Sequence, residues 1–157
     1  MYNKKIHLMY KLRYCIGLFI VFITCSSAQA VREIETEAGK LFITTTNEYP
    51  IFGTYHFKEA EPIVELQRGG TGQYQLHDSP KRPIEWGLEC SETGTLKSVK
   101  GFDNLKYYLY YRFTDTEADG STPVWTRVEM TVHLNAGKIF INGERMKLFT
   151  AKEEKKK

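Results

Sequence analysis

From about residue 40 onward, apolar and polar positions alternate with a period of two, and glycine-bearing turns divide the alternating runs. That period belongs to β-strands, whose side chains point alternately to opposite faces. Residues 84–90 are the clearest case: Ile84, Trp86, Leu88 and Cys90 share one face, and Glu85, Gly87 and Glu89 the other. Burying the first set while the glutamates stay in water predicts a strand with one core-facing side. Residues 124–134 predict the longest strand, with Val128, Met130 and Val132 on one face and Trp125, Arg127 and Glu129 on the other. Residues 106–114 are aromatic on both faces: Tyr107, Leu109, Tyr111 and Phe113 on one, Tyr108 and Tyr110 with Arg112 on the other. Alternation alone does not say which of these faces turns inward.

Further strands are predicted at 40–46, 52–57, 62–67, 73–77, 138–141 and 144–149, each rich in β-branched or aromatic residues. Arg68-Gly69-Gly70-Thr71-Gly72 and Asn142-Gly143 supply positive-φ turns between neighbouring strands. Residues 78–83, with two prolines, and residues 115–123 read as polar loops. No amphipathic helix of ten or more residues is predicted after residue 30. Short strands joined by tight turns predict an all-β domain, a single antiparallel up-and-down β-barrel. Closure removes the edges that otherwise recruit other chains.

The first thirty residues differ in kind. Lys4, Lys5, Lys11 and Arg13 precede an apolar stretch at 14–25, and Ser26-Ser27-Ala28-Gln29-Ala30 follows. That is the three-part form of a secretory signal peptide cut after Ala30. The apolar stretch is shorter than the ~20 residues that a spanning helix needs. The expected organisation is a signal peptide at 1–30, an arm with a first strand at 31–48, a barrel domain at 49–150 and a charged, frayed tail at 151–157. The expected location is outside the cytoplasm, periplasmic or secreted. Membrane attachment is expected only if Cys25 is acylated, and Thr24 stands where a lipoprotein signal normally has a smaller residue.

Removing the leader changes the charge. The chain has 22 Lys and Arg against 19 Asp and Glu, and four of the cations but none of the acids lie in residues 1–30. The remainder is close to neutral, so no nucleic-acid partner is expected. Cys15 and Cys25 lie in the leader and leave Cys90 alone. It cannot close an internal bridge, so packing and sheet hydrogen bonds must hold the fold.

Candidate chemistry is sparse. His56, His77 and His133 fall on separate strands without short ligand spacing, so neither metal nor cofactor is expected. No Gly-x-Ser-x-Gly elbow is present, and a catalytic role is not expected. Glu85 and Glu89 on one strand stand ~13 Å apart, too far for a glycosidase pair. The 68–72 glycines join two strands and do not open a helix, which argues for a hairpin over a phosphate cradle. Aromatic residues remain as the feature with binding potential, because tyrosines offer apolar walls with a polar tip.

Gly53-Thr54-Tyr55, the 65–72 hairpin, Ile84-Glu85-Trp86 and Gly143-Glu144-Arg145-Met146-Lys147 resemble the small lipocalin-like (calycin) domains of exported bacterial proteins, over residues 49–150. That family opens on Gly-x-Trp, and a basic residue of the last strand packs across the indole. Here Tyr55 takes the aromatic place and Arg145 (or Lys147) the basic one. The resemblance implies a structural clasp between Tyr55 and Arg145 worth ~1 kcal/mol, and a small hydrophobic or amphipathic ligand in the barrel mouth. The candidate lining is Trp86, Tyr107, Leu109, Tyr111, Val128 and Met130, with Arg127 as an anion partner. The alternative is a barrel filled by its own side chains, whose exposed Tyr108, Tyr110 and Trp125 meet a protein or glycan.

Overall fold

The computed structural model describes residues 31–57, 60–115 and 123–149. The predicted leader, the predicted frayed tail and most of the 115–123 loop lie outside these residues. Among the described residues eleven strands follow in chain order: β1 (Val31–Thr36), β2 (Gly39–Thr44), β3 (Gly53–Phe57), β4 (Ala60–Leu66), β5 (Thr71–Tyr74), β6 (Arg82–Cys90), β7 (Ser98–Lys100), β8 (Asn104–Phe113), β9 (Thr126–His133), β10 (Lys138–Ile141) and β11 (Arg145–Leu148). Among the described residues there is no helix.

Eight of the strands close on themselves. β3, β4, β5, β6, β8, β9, β10 and β11 each pair antiparallel with the next, and β11 returns to β3. The predicted all-β, antiparallel closed barrel is therefore the fold, and it is consistent with a calycin-like architecture. Two strands escape the sequence pattern. β1 carries a single apolar side chain that is buried, Ile34, and β7 is three residues long and exposed throughout. Neither contains enough alternation to announce a strand.

Both additions attach where barrel strands outrun their neighbours. β6 pairs with β5 through residues 82–85 and with β2 through 88–90 on the same edge, while its other edge takes β8. The amino-terminal half of β8 pairs with β7. The register also defines two ends. Gly53, Leu66, Cys90, Asn104, His133 and Leu148 mark one, called here the strap end. Phe57, Tyr74, Arg82, Phe113 and Arg145 mark the far end.

Alternation decides what fills the barrel. Ile84, Trp86 and Leu88, Tyr107, Leu109 and Tyr111, and Val128, Met130 and Val132 all turn inward and meet Tyr55, Val64, Leu66, Ile139 and Ile141 in one core. The Trp86 indole N–H donates to the Thr71 carbonyl at 2.8 Å, so this large ring is buried without an orphan donor. The barrel is packed with its own rings, as in other small barrels. A second, smaller core lies outside the wall. The β1–β2 hairpin lays Ile34 and Ile43 against Tyr110, with Leu41, Tyr108 and Trp125 around them. Gly87 permits this, because a Cβ there would lie 2.8 Å from the Ile43 Cδ1.

Gly72 is the tightest point of the wall. A Cβ at Gly72 would stand 2.0 Å from the Glu65 carbonyl oxygen, a backbone atom that cannot step aside. Gly69, in the adjoining turn, has φ +85° but open space around it. Gly72→Ala should therefore destabilise by about 3 kcal/mol or more through overpacking, and Gly69→Ala by only about 1 kcal/mol of backbone strain. Urea denaturation of the two variants checks this order.

Candidate functional site

Residues 45–52 join β2 to β3 and cross the strap end of the barrel. Their polar backbone must find partners there, because half-buried carbonyls without them are costly. The barrel supplies them from inside. Tyr55, fully buried, donates its hydroxyl to the Ile51 carbonyl at 2.6 Å. Lys147 donates its Nζ to the Pro50 carbonyl at 2.6 Å and also to that of Phe52. The Ile51 N–H closes a tight turn onto the Tyr49 carbonyl at 2.7 Å, around Pro50. Ile51 itself is buried in the core, Phe52 packs on Trp86 with ring centroids 5.9 Å apart, and Tyr49 packs on Tyr107 at 6.4 Å. The strap is thus a plug pinned at three successive carbonyls.

Beside the plug lies a cleft. It has a volume of about 590 Å³. Thr46, Asn47 and Glu48 of the strap form one wall, Gly94, Thr95 and Ser98 the other, and Leu96, Leu105 and Tyr107 the apolar floor. This cleft exists because β6 and β8 part company beyond the barrel rim, where the 91–97 connection and β7 intervene. A smaller groove of about 250 Å³ lies where β2 and β5 diverge from β6, between Ile43, Thr45, Gly70 and Trp86.

The far end holds a buried guanidinium. Arg145 is 2% exposed. It donates to the Tyr74 hydroxyl at 3.3 Å and to the Gln75 carbonyl at 3.1 Å, and pairs with Glu144 at 3.4 Å. Among the described residues its Nε and the Gln75 Oε1 have no hydrogen-bond partner. The guanidinium lies 5.0 Å from the Tyr74 ring, and Tyr74 stacks on Tyr111 at 4.4 Å.

The sequence-predicted residues fall into three places. Trp86, Tyr107, Leu109, Tyr111, Val128 and Met130 share the barrel core. Tyr107 alone of these also lines the large cleft. Arg127 stands on the outer face, exposed, with its guanidinium 3.6 Å above the Tyr108 ring, away from those six. Tyr110 is buried under the β1–β2 hairpin, and Trp125 is flanked by Arg32 and Arg112 at 4.9 and 5.0 Å, so this aromatic surface is largely covered. Tyr55 is the central residue of β3 and sends its hydroxyl to the strap, whereas Arg145 opens β11 at the far end. Arg145 meets Tyr74, and Lys147 is the basic residue at the Gly53 end, with its Cε 3.1 Å from where a Gly53 Cβ would stand. Reasoning along the sequence missed residues 46–48 and 94–98. The strap's one signal was Tyr49-Pro50-Ile51, an apolar group between the strands predicted at 40–46 and 52–57.

Among the described residues no group of three or more His, Cys, Asp or Glu side chains is placed to hold a metal ion. The titrating groups describe walls. Burial, helped by the nearby Tyr49 and Glu48, pushes the Tyr107 hydroxyl up to about 12. Burial and Tyr74 do the same for Tyr111, also to about 12. On the outer wall burial works to raise the Glu85 carboxyl, but hydrogen bonds and charge from Arg32 and Arg112 outweigh it and hold the group below its ordinary value.

Two outcomes follow from this geometry. Unfolded tyrosine titrates near pH ~10, whereas Tyr107 and Tyr111 keep their protons up to about 12 in the fold. Between these values the folded chain holds protons that the unfolded chain has lost. The tyrosine contribution to stability is therefore complete below about pH 10 and disappears as the pH rises toward about 12. Urea midpoints at about pH 9 and about pH 11.5 should differ in that direction, and less so in Tyr107→Phe. Lys147→Met removes the charged donor from two strap carbonyls and should lower stability by about 2 kcal/mol. Hydrogen exchange at the Ile51 amide should accelerate in that variant more than exchange in the Leu109 and Met130 strands.

The chain was compared with protein-family models, with curated proteins and with solved structures, and it matches none of them.

Proposed function

We propose that this protein is an exported, non-enzymatic, lipocalin-like binder of a small amphipathic molecule, held in the cleft beside the strap. The observation that carries the reading is the cleft itself. Its volume of about 590 Å³ lies within the range of small-molecule sites. Its composition suits a ligand with two characters, with hydroxyl, amide and carboxylate groups on the walls and Leu96, Leu105 and Tyr107 beneath. The eight-stranded closed barrel supports the lipocalin comparison. The cationic and apolar form of residues 1–30 supports export.

The ligand is placed at the rim because the barrel axis is occupied by Trp86, Tyr55, Leu109 and Met130. An apolar moiety gains ~25 cal/mol per Å² removed from water, so half-burial in such a cleft corresponds to roughly micromolar binding. The covered state of Tyr110 and Trp125 favours this reading over an aromatic docking patch.

A fluorescent fatty-acid analogue titrated into the purified protein should be taken up with roughly micromolar affinity. Ser98 is exposed at the cleft wall, so Ser98→Trp should fill the space and weaken uptake about tenfold or more while leaving the thermal midpoint in place. Absence of uptake, or uptake indifferent to Ser98→Trp, would remove the cleft as the site.

A further inference from the structure

The cleft beside the strap has a sign. Of the nine described residues that line it, Glu48 is the one that carries a charge at neutral pH. Glu48 is exposed, and among the described residues no ion pair engages it. The cations of this end are directed elsewhere. Lys97 is held by Glu89 at 2.9 Å, and Lys106 by Glu129 at 2.9 Å. Lys147 donates inward to the Pro50 and Phe52 carbonyls, and Arg68 lies over the Phe52 ring at 4.8 Å. Lys100 is exposed two residues beyond Ser98 but does not line the cleft. Glu92, two residues before Gly94, is a further exposed carboxylate without an ion pair among the described residues.

The hydrogen-bonding groups of the cleft lean the same way. An anion needs N–H donors, and those of the lining backbone at Thr46, Gly94 and Thr95 are already engaged by the Thr44 hydroxyl, the Ser91 carbonyl and the Ser91 hydroxyl. Asn47 donates its Nδ2 to the Thr45 carbonyl at 3.3 Å, which leaves its Oδ1 as an acceptor. The walls therefore offer a carboxylate, an amide oxygen and hydroxyls that accept as readily as they donate. The floor suits a cation too. Tyr107 packs on Tyr49 with ring centroids 6.4 Å apart, and the π faces of such rings attract positive charge. The Glu48 charge reaches this floor: the Tyr107 hydroxyl is pushed up to about 12 by burial first, and by Tyr49 and Glu48 after it.

We infer that the small molecule held in this cleft is a cationic amphiphile, an amine whose ammonium group meets Glu48 and whose apolar part lies on Leu96, Leu105 and Tyr107, a reading that rests on the cleft being the binding site. The ammonium N–H groups would donate to the Glu48 carboxylate and to the Asn47 Oδ1, two acceptors that stand on one wall. A molecule with the same apolar part and a carboxylate head keeps the contact with the floor but meets Glu48 as a like charge. One exposed charge pair is worth a factor of roughly three, so replacing attraction by repulsion separates the two heads by about tenfold.

The test is isothermal titration calorimetry of the purified protein with decylamine, which is protonated at neutral pH, and with decanoate, which shares its chain length. Decylamine should bind about tenfold more tightly at low salt, and the gap should narrow as salt rises. Glu48→Gln should bring the two affinities within about threefold of each other, and Glu48→Lys should reverse their order. The Glu48 side chain is exposed, so both variants should keep the thermal midpoint of the wild type. Ser98→Trp should weaken both ligands alike. Equal affinities that Ser98→Trp still weakens overturn the cationic head group and leave the cleft as the site. A preference for decylamine that survives Glu48→Gln also overturns it, because Glu48 would not be the selecting group. Binding of neither ligand, or binding indifferent to Ser98→Trp, removes the cleft as the site and the head-group assignment with it.

Discussion

The barrel depends on one seam. β3 and β11, the first and last barrel strands, meet in a ladder that registers only two residue pairs, Arg145 with Phe57 and Met146 with His56. So short a ladder has little strength as backbone hydrogen bonding alone. It is reinforced by the two basic side chains of β11. Lys147 reaches over the strap end to the carbonyls of Pro50 and Phe52, and Arg145 reaches across the far end to Tyr74 and Gln75. One strand therefore ties both ends of the barrel. Hydrogen bonds from charged donors are worth more than neutral ones, and a buried cation left without them is expensive. The same residues that close the sheet thus hold it closed.

The strap follows from this seam. A connection that crosses a barrel end exposes its own carbonyls to an apolar interior, and only inward donors make that tolerable. Tyr55 and Lys147 are those donors. With the plug fixed by Ile51 and Phe52, the preceding residues 46–48 are left standing at the rim, opposite the 94–98 segment. The cleft is the gap between two segments that the barrel needs for other reasons. Its polar walls and apolar floor reflect that origin: the walls are connecting segments, and Leu105 and Tyr107 are the end of a core strand.

Much of the wall was legible because strand alternation is a local property. Ile84, Trp86 and Leu88 share a face in the sequence and in the barrel, and so do Val128, Met130 and Val132. The Asn142-Gly143 turn was equally plain, since both residues take positive φ, at 56° and 71°. Tyr107–Tyr111 was ambiguous for a physical reason. Its two faces are both aromatic because both are covered, one by the core and the other by the β1–β2 hairpin. Arg127 sits on that outer face, over Tyr108, and the period-two reading had already separated it from Val128 and Met130. β1 and β7 were illegible because their order comes from pairing with β2 and β8 and not from their own composition.

The sequence by itself determined an all-β chain, its turns, and which residues of β6, β8 and β9 travel together, because side-chain direction repeats every second residue whatever the partner strand. Tertiary structure decided which of those faces is inside, which of the two basic residues of β11 serves each end, and where an accessible hollow remains. Those outcomes depend on closure, which brings residue 53 beside residue 147 and residue 46 across from residue 95. No local pattern encodes a distance between positions so far apart along the chain.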